Sequence, residues 1–188
     1  MQVKAALQPL GNMASQLSHR GDKPPSSMGM LGMLGGLLGS SQQRSSQREY
    51  HIFFSLRLAE AMDEAEELKA AIQRARPGVS CFLSGGNPNA SDLGIIIPRA
   101  LNGAKLAIVM GSKTYGKQTA SNFSTYEEMQ FILSEKKPMF LLKMCDDWEE
   151  AQTKVMIGSK KYKPWQVGTP MPNGIVDEIL AIYDQAGR

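Results

Sequence analysis

Cysteine and histidine are scarce in this chain of 188 residues, with two of each. The cysteines, Cys81 and Cys145, do not form a CxxC pair, and the histidines are His19 and His51. A structural zinc site needs several such ligands at close spacing, and a Ser/His/Asp triad needs a histidine beside its nucleophile. We therefore expect no metal centre and no triad, and we expect both cysteines to be reduced thiols in the core.

A hydrophobic run long enough to cross a bilayer is also missing. The longest apolar stretch, residues 28–39, is shorter than the ~20 residues of a spanning helix and is interrupted by glycine. The beginning of the chain lacks the basic-then-apolar layout of a secretory leader. The sequence therefore predicts a cytoplasmic protein without a membrane span.

The net charge of +3 comes from the first part of the chain. Residues 1–49 contain five Lys or Arg and two acids, and the remainder contains 16 of each sign. Nucleic-acid binding requires a basic stripe on the folded part, so we expect no nucleic-acid partner.

The composition changes near residue 49. Residues 1–49 are rich in glycine, serine, proline and glutamine, and such a segment buries too little apolar area to offset the entropy lost on ordering. We interpret 1–49 as a disordered low-complexity tail and 50–188 as one folded domain.

Within 50–188, short apolar runs alternate with segments of helical periodicity. Strands are predicted over 50–56, 79–83, 105–110, 139–144 and 163–167, and helices over 63–75, 95–103, 122–135 and 173–184. We expect Asp63 to cap the first helix and Pro98 to lie in the first turn of the second. Repeated strand–helix units predict a flavodoxin-like α/β fold, with an open parallel five-stranded sheet and helices on both faces.

Ligands of such sheets bind at the carboxyl ends of the strands. Three loops, 55–57, 84–93 and 111–123, are predicted to converge there and to form one cleft. The third loop nearly reproduces a phosphate-binding GxxxxGK[ST] motif, but Gln118 replaces the hydroxyl that would bind Mg²⁺. Arg57 could hold an anionic group in the cleft, or it could pair with Glu60 at the surface. The helix after the third loop begins with two carboxylates, Glu127 and Glu128, at the positive end of its dipole.

The region from residue 50 to about 184 resembles a TIR (Toll/interleukin-1 receptor) domain. The run Tyr50-His-Ile-Phe-Phe-Ser-Leu-Arg57 is similar to the first conserved box of that family, with Leu56 in place of the usual Tyr. Ser112-x-x-Tyr115 and the glutamate-bearing helix resemble the Ser-x-x-Tyr loop and the Trp-x-x-x-Glu helix start, and Trp165 matches only the tryptophan of the third box. Ser124 stands where the family commonly has tryptophan, with Phe123 beside it as a substitute. The second loop lacks the Arg-Asp-x-x-Pro-Gly signature of receptor and adaptor members.

Glu128 is the better match to the glutamate of the family, because Met129 then occupies the apolar position that follows it. Helix spacing agrees, since Phe131 and Ile132 lie three and four residues on and place Glu128 on the packing face, with Glu127 toward solvent. The resemblance implies Glu128 as the catalytic residue and a set of substrate-binding residues: Leu56, Arg57, Ser84, Gly85, Ser112, Tyr115, Phe123 and Ser124.

The resemblance further implies an enzyme that cleaves NAD⁺ to nicotinamide and ADP-ribose or a cyclic ADP-ribose. NAD⁺ is then the substrate, no cofactor or metal is needed, and the partners are other TIR domains in a homo-oligomer or filament. We expect the Glu128 carboxyl to stay ionised at neutral pH, because the helix N-terminus offsets its partial desolvation. The alternative is a non-catalytic TIR scaffold or adaptor that acts by TIR–TIR assembly.

Overall fold

A computed structural model describes residues 50–84, 93–119 and 123–186 of the chain. The predicted disordered tail, residues 1–49, lies outside the described residues. In the described part, five parallel strands form one sheet in the order β2-β1-β3-β4-β5. The strands are β1 (Ile52–Leu56), β2 (Cys81–Phe82), β3 (Leu106–Gly111), β4 (Met139–Lys143) and β5 (Lys163–Pro164).

In the described residues, five helices connect or follow these strands and cover both faces of the sheet. They are α1 (Leu58–Ala75), α2 (Leu93–Gly103), α3 (Thr125–Ser134), α4 (Ala151–Ile157) and α5 (Ile175–Ala186). The predicted α/β, flavodoxin-like open sheet is confirmed. None of the helices in the described ranges has the length and hydrophobicity that crossing a bilayer requires.

Side chains alternate between the two faces of the central strands and divide the core into two layers. Phe54 and Ile108 pack with α1 and α5 on one face, and Phe53 and Val109 pack with α2 and α3 on the other. The middle strand, β3, is buried on both faces, which explains its continuous apolar sequence. Trp165 is buried in the layer of α1 and α5.

Helix α1 begins earlier than predicted, and Asp63 is not its cap. The helix starts at Leu58 after Arg57, and the non-helical backbone of Ala61 (φ −145°, ψ 23°) breaks its first turn. The chain folds into a turn directly after β1 because the carbonyl of Arg57 accepts hydrogen bonds from the amides of Glu60 and Ala61. Asp63 is exposed just beyond this break. The helical periodicity therefore indicated only the part of α1 after Ala61.

Three further differences concern element bounds. Pro98 lies beyond the first turn of α2, so its predicted position is wrong. The short helix α4 was not predicted, because only Thr153 and Ile157 are buried in it and the apolar pattern is correspondingly weak. Strand β5 is two residues long rather than five, and the chain after it turns so that the Trp165 indole donates to the carbonyl of Thr169 at 3.0 Å.

Candidate functional site

The carboxyl ends of β1, β3 and β4 lie side by side. Leu56 pairs with Met110 in β3, and Met110 pairs in turn with Leu142 in β4. The segments that follow these strands therefore emerge at one edge, as expected for a parallel sheet. Ser84, which begins the second loop after β2, is half-buried, whereas Gly85 lies outside the described residues.

Glu128 lies in the first turn of α3, and its side chain turns inward against the sheet. Only 6% of the residue is exposed. Its carboxylate Oε2 accepts a hydrogen bond of 2.5 Å from the hydroxyl of Ser55, the residue before the last one of β1. The predicted orientation of Glu128 toward the packing face is thus confirmed.

Two hydroxyls extend this contact into a chain. The Ser55 hydroxyl also lies 2.6 Å from the phenol of Tyr115, and both residues are completely buried. Tyr115 is held by the turn after β3, where its amide donates to the carbonyl of Ser112 at 3.1 Å and its carbonyl accepts from the Thr153 hydroxyl at 2.5 Å. Three parts of the fold, β1, the turn after β3 and α3, therefore meet at one buried polar cluster: Ser55, Tyr115 and Glu128.

The expectation that Glu128 stays ionised at neutral pH is not met. Burial raises the pKa of its carboxyl from the ordinary 4.5 to about 8; the Ser55 hydrogen bond acts against this rise and repulsion from Glu127 adds to it. A helix dipole contributes at most ~2 kcal/mol, whereas the rise corresponds to roughly 5 kcal/mol. Burial is nearly complete rather than partial, so it outweighs the helix N-terminus, and the free carboxyl is mostly protonated at pH 7.

The neighbouring glutamate has a different role. Glu127 does not point to solvent but turns back to the start of α3, where its Oε2 accepts from the amide of Ser124 at 2.7 Å and from the Ser124 hydroxyl. The amide of Tyr126 donates to the same hydroxyl, so Ser124 and Glu127 form a capping box. Burial alone would raise the pKa of Glu127, but the hydrogen bonds from Ser124 outweigh it and hold that pKa below its usual value. The two adjacent carboxyls therefore differ in protonation.

A cleft of about 790 Å³ lies at the same edge of the sheet, over the ends of β3, β4 and β5. Glu60 lines it, and its carboxylate accepts from the amide of Thr114 at 3.1 Å and from the Thr114 hydroxyl. Burial acts to raise the pKa of Glu60, but these hydrogen bonds and the charge of Arg57 outweigh it and lower that pKa. Glu128 is not among the residues that line this cleft.

Ser112 also lines the cleft and is completely buried. Its hydroxyl lies near enough to Glu60 to help lower the pKa of that carboxyl, yet it makes no hydrogen bond with any described residue. Among the described residues, Glu60 and Ser112 line the open cleft, and Glu128 lies in the buried cluster with Ser55 and Tyr115. The loop 84–93, which is also predicted to form the cleft, lies mostly outside the described residues.

The remaining predicted residues have mixed positions. Arg57 is half-buried at the start of α1, and no salt bridge between it and Glu60 occurs among the described residues. Leu56 packs in the core layer of α1 and α5, on the opposite face of β1 from Ser55 and Glu128. Phe123 is half-buried, packs against the core layer of α3, and is one of the residues of a groove of about 680 Å³ that also includes Phe131.

The sequence alone did not indicate the role of Ser55, which lies where the predicted strand 50–56 and the predicted loop 55–57 overlap. The available signal was its position, since it is a polar residue inside an otherwise apolar, fully buried strand. The loop after β4 was missed as well, although it supplies Cys145 and Asp146 to the cleft. Cys145 is only half-buried, so of the two predicted core thiols only Cys81 is a core residue.

The cluster Ser55–Tyr115–Glu128 can present one carboxyl, in either protonation state, to a group that reaches the carboxyl edge of the sheet. No group of three or more metal-ligating side chains lies together in the described ranges. A scan against protein-family models and a search of curated proteins find no match to this chain.

Proposed function

We propose that this chain is a TIR-type domain that cleaves NAD⁺ at the nicotinamide–ribose bond. The proposal rests on the resemblance of residues 50–184 to that family, and one observation carries it: the side chain of Glu128 is turned into the fold at the carboxyl edge of the sheet and is held there by Ser55. The strand order β2-β1-β3-β4-β5 supports it, because ligands of such sheets bind near the ends of β1 and β3.

The chemistry requires one anion. When the glycosidic bond breaks, its electron pair passes to the nicotinamide nitrogen, the ring leaves neutral, and positive charge develops at the ribose C1′. A carboxylate beside the ribose stabilises that charge, most strongly where water is excluded. Water then adds to C1′ and releases a proton to give ADP-ribose, or another nucleophilic atom of the ADP-ribose group adds to C1′ instead and gives a cyclic product.

The high pKa of free Glu128 is compatible with this role. NAD⁺ brings a cationic nicotinamide ring to the site, and a nearby positive charge favours the ionised carboxylate. Binding of the substrate would therefore release the proton and create the anion where it is needed. Arg57 would contact the diphosphate, and the proposed active form is a homo-oligomer.

A non-catalytic TIR scaffold is the second candidate, and the same hydrogen bond favours it. The contact between Glu128 and Ser55 ties α3 to β1, and this alone would give the buried carboxyl a structural role. Self-association is expected of both candidates and does not distinguish them.

The test is to incubate the full chain with NAD⁺ and to measure free nicotinamide by chromatography. Glu128→Gln should lower the rate at least ~100-fold, because it removes the anion and preserves the shape of the side chain. Glu127→Gln is the matched control, since it removes the adjacent carboxylate from the helix cap. A Glu127→Gln protein that is folded, as judged by circular dichroism, should retain activity.

Equal rates for the parent and Glu128→Gln would reject Glu128 as the catalytic residue. Absence of turnover by the parent, both as a monomer and in assembled fractions from gel filtration, would favour the scaffold.

A further inference from the structure

The hydroxyls of Ser55 and Tyr115 are hydrogen-bonded to each other and, through Ser55, to Glu128. Each hydroxyl has one proton to donate. When Glu128 is ionised its carboxylate can only accept, so Ser55 must donate to it and Tyr115 must donate to Ser55. In this direction every proton of the hydrogen-bond chain has an acceptor.

The opposite direction is less well satisfied. When Glu128 is protonated, its own proton can be donated to Ser55, and Ser55 can then donate to the phenol of Tyr115. The Tyr115 proton would then need an acceptor of its own, but among the described residues the phenol has only Ser55 as a partner. If Ser55 instead keeps donating to the carbonyl oxygen of the protonated carboxyl, the carboxyl proton is the one that needs a further acceptor. In either arrangement the protonated cluster has three protons for two hydrogen bonds. A buried donor without an acceptor is unfavourable, so the chain of hydroxyls favours the ionised carboxylate and opposes the effect of burial.

We propose that Ser55 is a positioning residue that orients and stabilises the Glu128 carboxylate, and that Tyr115 fixes the direction in which the Ser55 hydroxyl donates. The proposal deepens the proposed function and rests on it for its catalytic meaning. The hydrogen-bond chain itself is a property of the folded protein and can be tested without substrate.

The charged and titratable groups around the cluster are few in the described ranges. Glu127, on α3, repels the Glu128 charge, and Tyr115 faces Glu128 from the turn after β3. The Tyr115 pKa is itself raised, first by burial and then by the Glu128 charge. The phenol therefore stays protonated, as the hydrogen-bond chain requires. From β1, Ser55 is the only polar residue that contacts the carboxyl.

The test is a titration of the Glu128 carboxyl carbon by ¹³C NMR on the full chain with labelled glutamate, assigned by its loss in Glu128→Gln. Ser55→Ala should raise the midpoint by roughly one to two pH units, because a hydrogen bond to a charged group is removed. Tyr115→Phe should raise it by less, since Ser55 can still donate, and Ser55→Thr should restore the parent midpoint. Ser112→Ala, which removes a buried hydroxyl without contact to Glu128, should leave it unchanged.

An unchanged midpoint in both Ser55→Ala and Tyr115→Phe would overturn the proposal, as would an equal rise in Ser112→Ala. The pH profile of nicotinamide release provides a second readout, and in Ser55→Ala it should shift in the same direction as the NMR midpoint. If the parent releases no nicotinamide, the proposed function fails while the NMR titration still decides the hydrogen-bond chain. If the parent is active and the midpoint does not change in Ser55→Ala and Tyr115→Phe, only the role proposed for the hydrogen-bond chain is refuted.

Discussion

The buried carboxyl of Glu128 should make the stability of the fold fall as the pH rises. Its pKa in the folded protein is about 8, against an ordinary value of 4.5. Between these two values the folded protein keeps a proton that the unfolded chain has released, so the free energy of unfolding decreases with pH. The full difference corresponds to roughly 5 kcal/mol, of which roughly 2 to 3 kcal/mol is lost between pH 5 and pH 7.

Glu128→Gln isolates this effect. The amide has the shape of the protonated carboxyl and still offers Ser55 an acceptor, but it does not titrate. The free energy of unfolding should be measured by urea denaturation of the full chain at pH 5, 6, 7 and 8, followed by circular dichroism. The parent should lose stability relative to Glu128→Gln by roughly 2 to 3 kcal/mol from pH 5 to pH 7.

Other titrating groups do not obscure the comparison. Glu60 and Glu127 have lowered pKa values, so the stability that they contribute is lost only as the pH falls below about 4.5. Groups that titrate between pH 5 and pH 7 elsewhere in the chain contribute equally to both proteins. Parallel pH dependences of the parent and Glu128→Gln would show that the carboxyl titrates near its ordinary value, and the burial argument would then be wrong.

Two further predictions follow from the same site. If the Glu128 carboxylate is the catalytic anion, kcat/KM for nicotinamide release should rise with pH to a plateau above about pH 8. The plateau of kcat should begin at a lower pH, because bound NAD⁺ favours the ionised carboxylate. A flat profile of kcat/KM between pH 6 and pH 9 would contradict this prediction. Gly116→Ala should lower the free energy of unfolding, measured in urea, by roughly 1 to 3 kcal/mol. Gly116 has φ +83°, and an added Cβ would lie 2.1 Å from the Thr153 hydroxyl that donates to the Tyr115 carbonyl. Unchanged stability would show that this turn does not fix Tyr115.

The sheet could be predicted from the sequence because its central strands have a strong pattern. Residues 106–110 are continuously apolar, as a strand buried on both faces must be, and the predicted bounds 105–110 differ from Leu106–Gly111 by one residue at each end. The starts of α1 and α5 were harder to predict, because the start of a helix depends on hydrogen bonds of the backbone. Arg57 caps α1 without any side-chain hydrogen bond, so its residue type gave no signal.

The site could be predicted only where one element determined it. The inward orientation of Glu128 follows from the periodicity of α3, which is local information. Its partner Ser55 is 73 positions away in the sequence, and the contact exists only because β1 lies under the start of α3. The protonation state of Glu128 depends on the same contact and on nearly complete burial. Both are properties of the assembled fold that no local pattern determines.

The different roles of the two adjacent glutamates can nevertheless be derived from the local sequence. Ser124-Thr-Tyr-Glu127 is a Ser-x-x-Glu pattern at a helix start, and a capping box commits the glutamate at its fourth position to the backbone of the first. The next residue, Glu128, lies about 100° further around the helix, on the side of Ile132, and therefore faces the sheet. A carboxyl in that position loses its water because the helix packs against β1, so the same helix start yields one ionised capping residue and one buried carboxyl with a raised pKa.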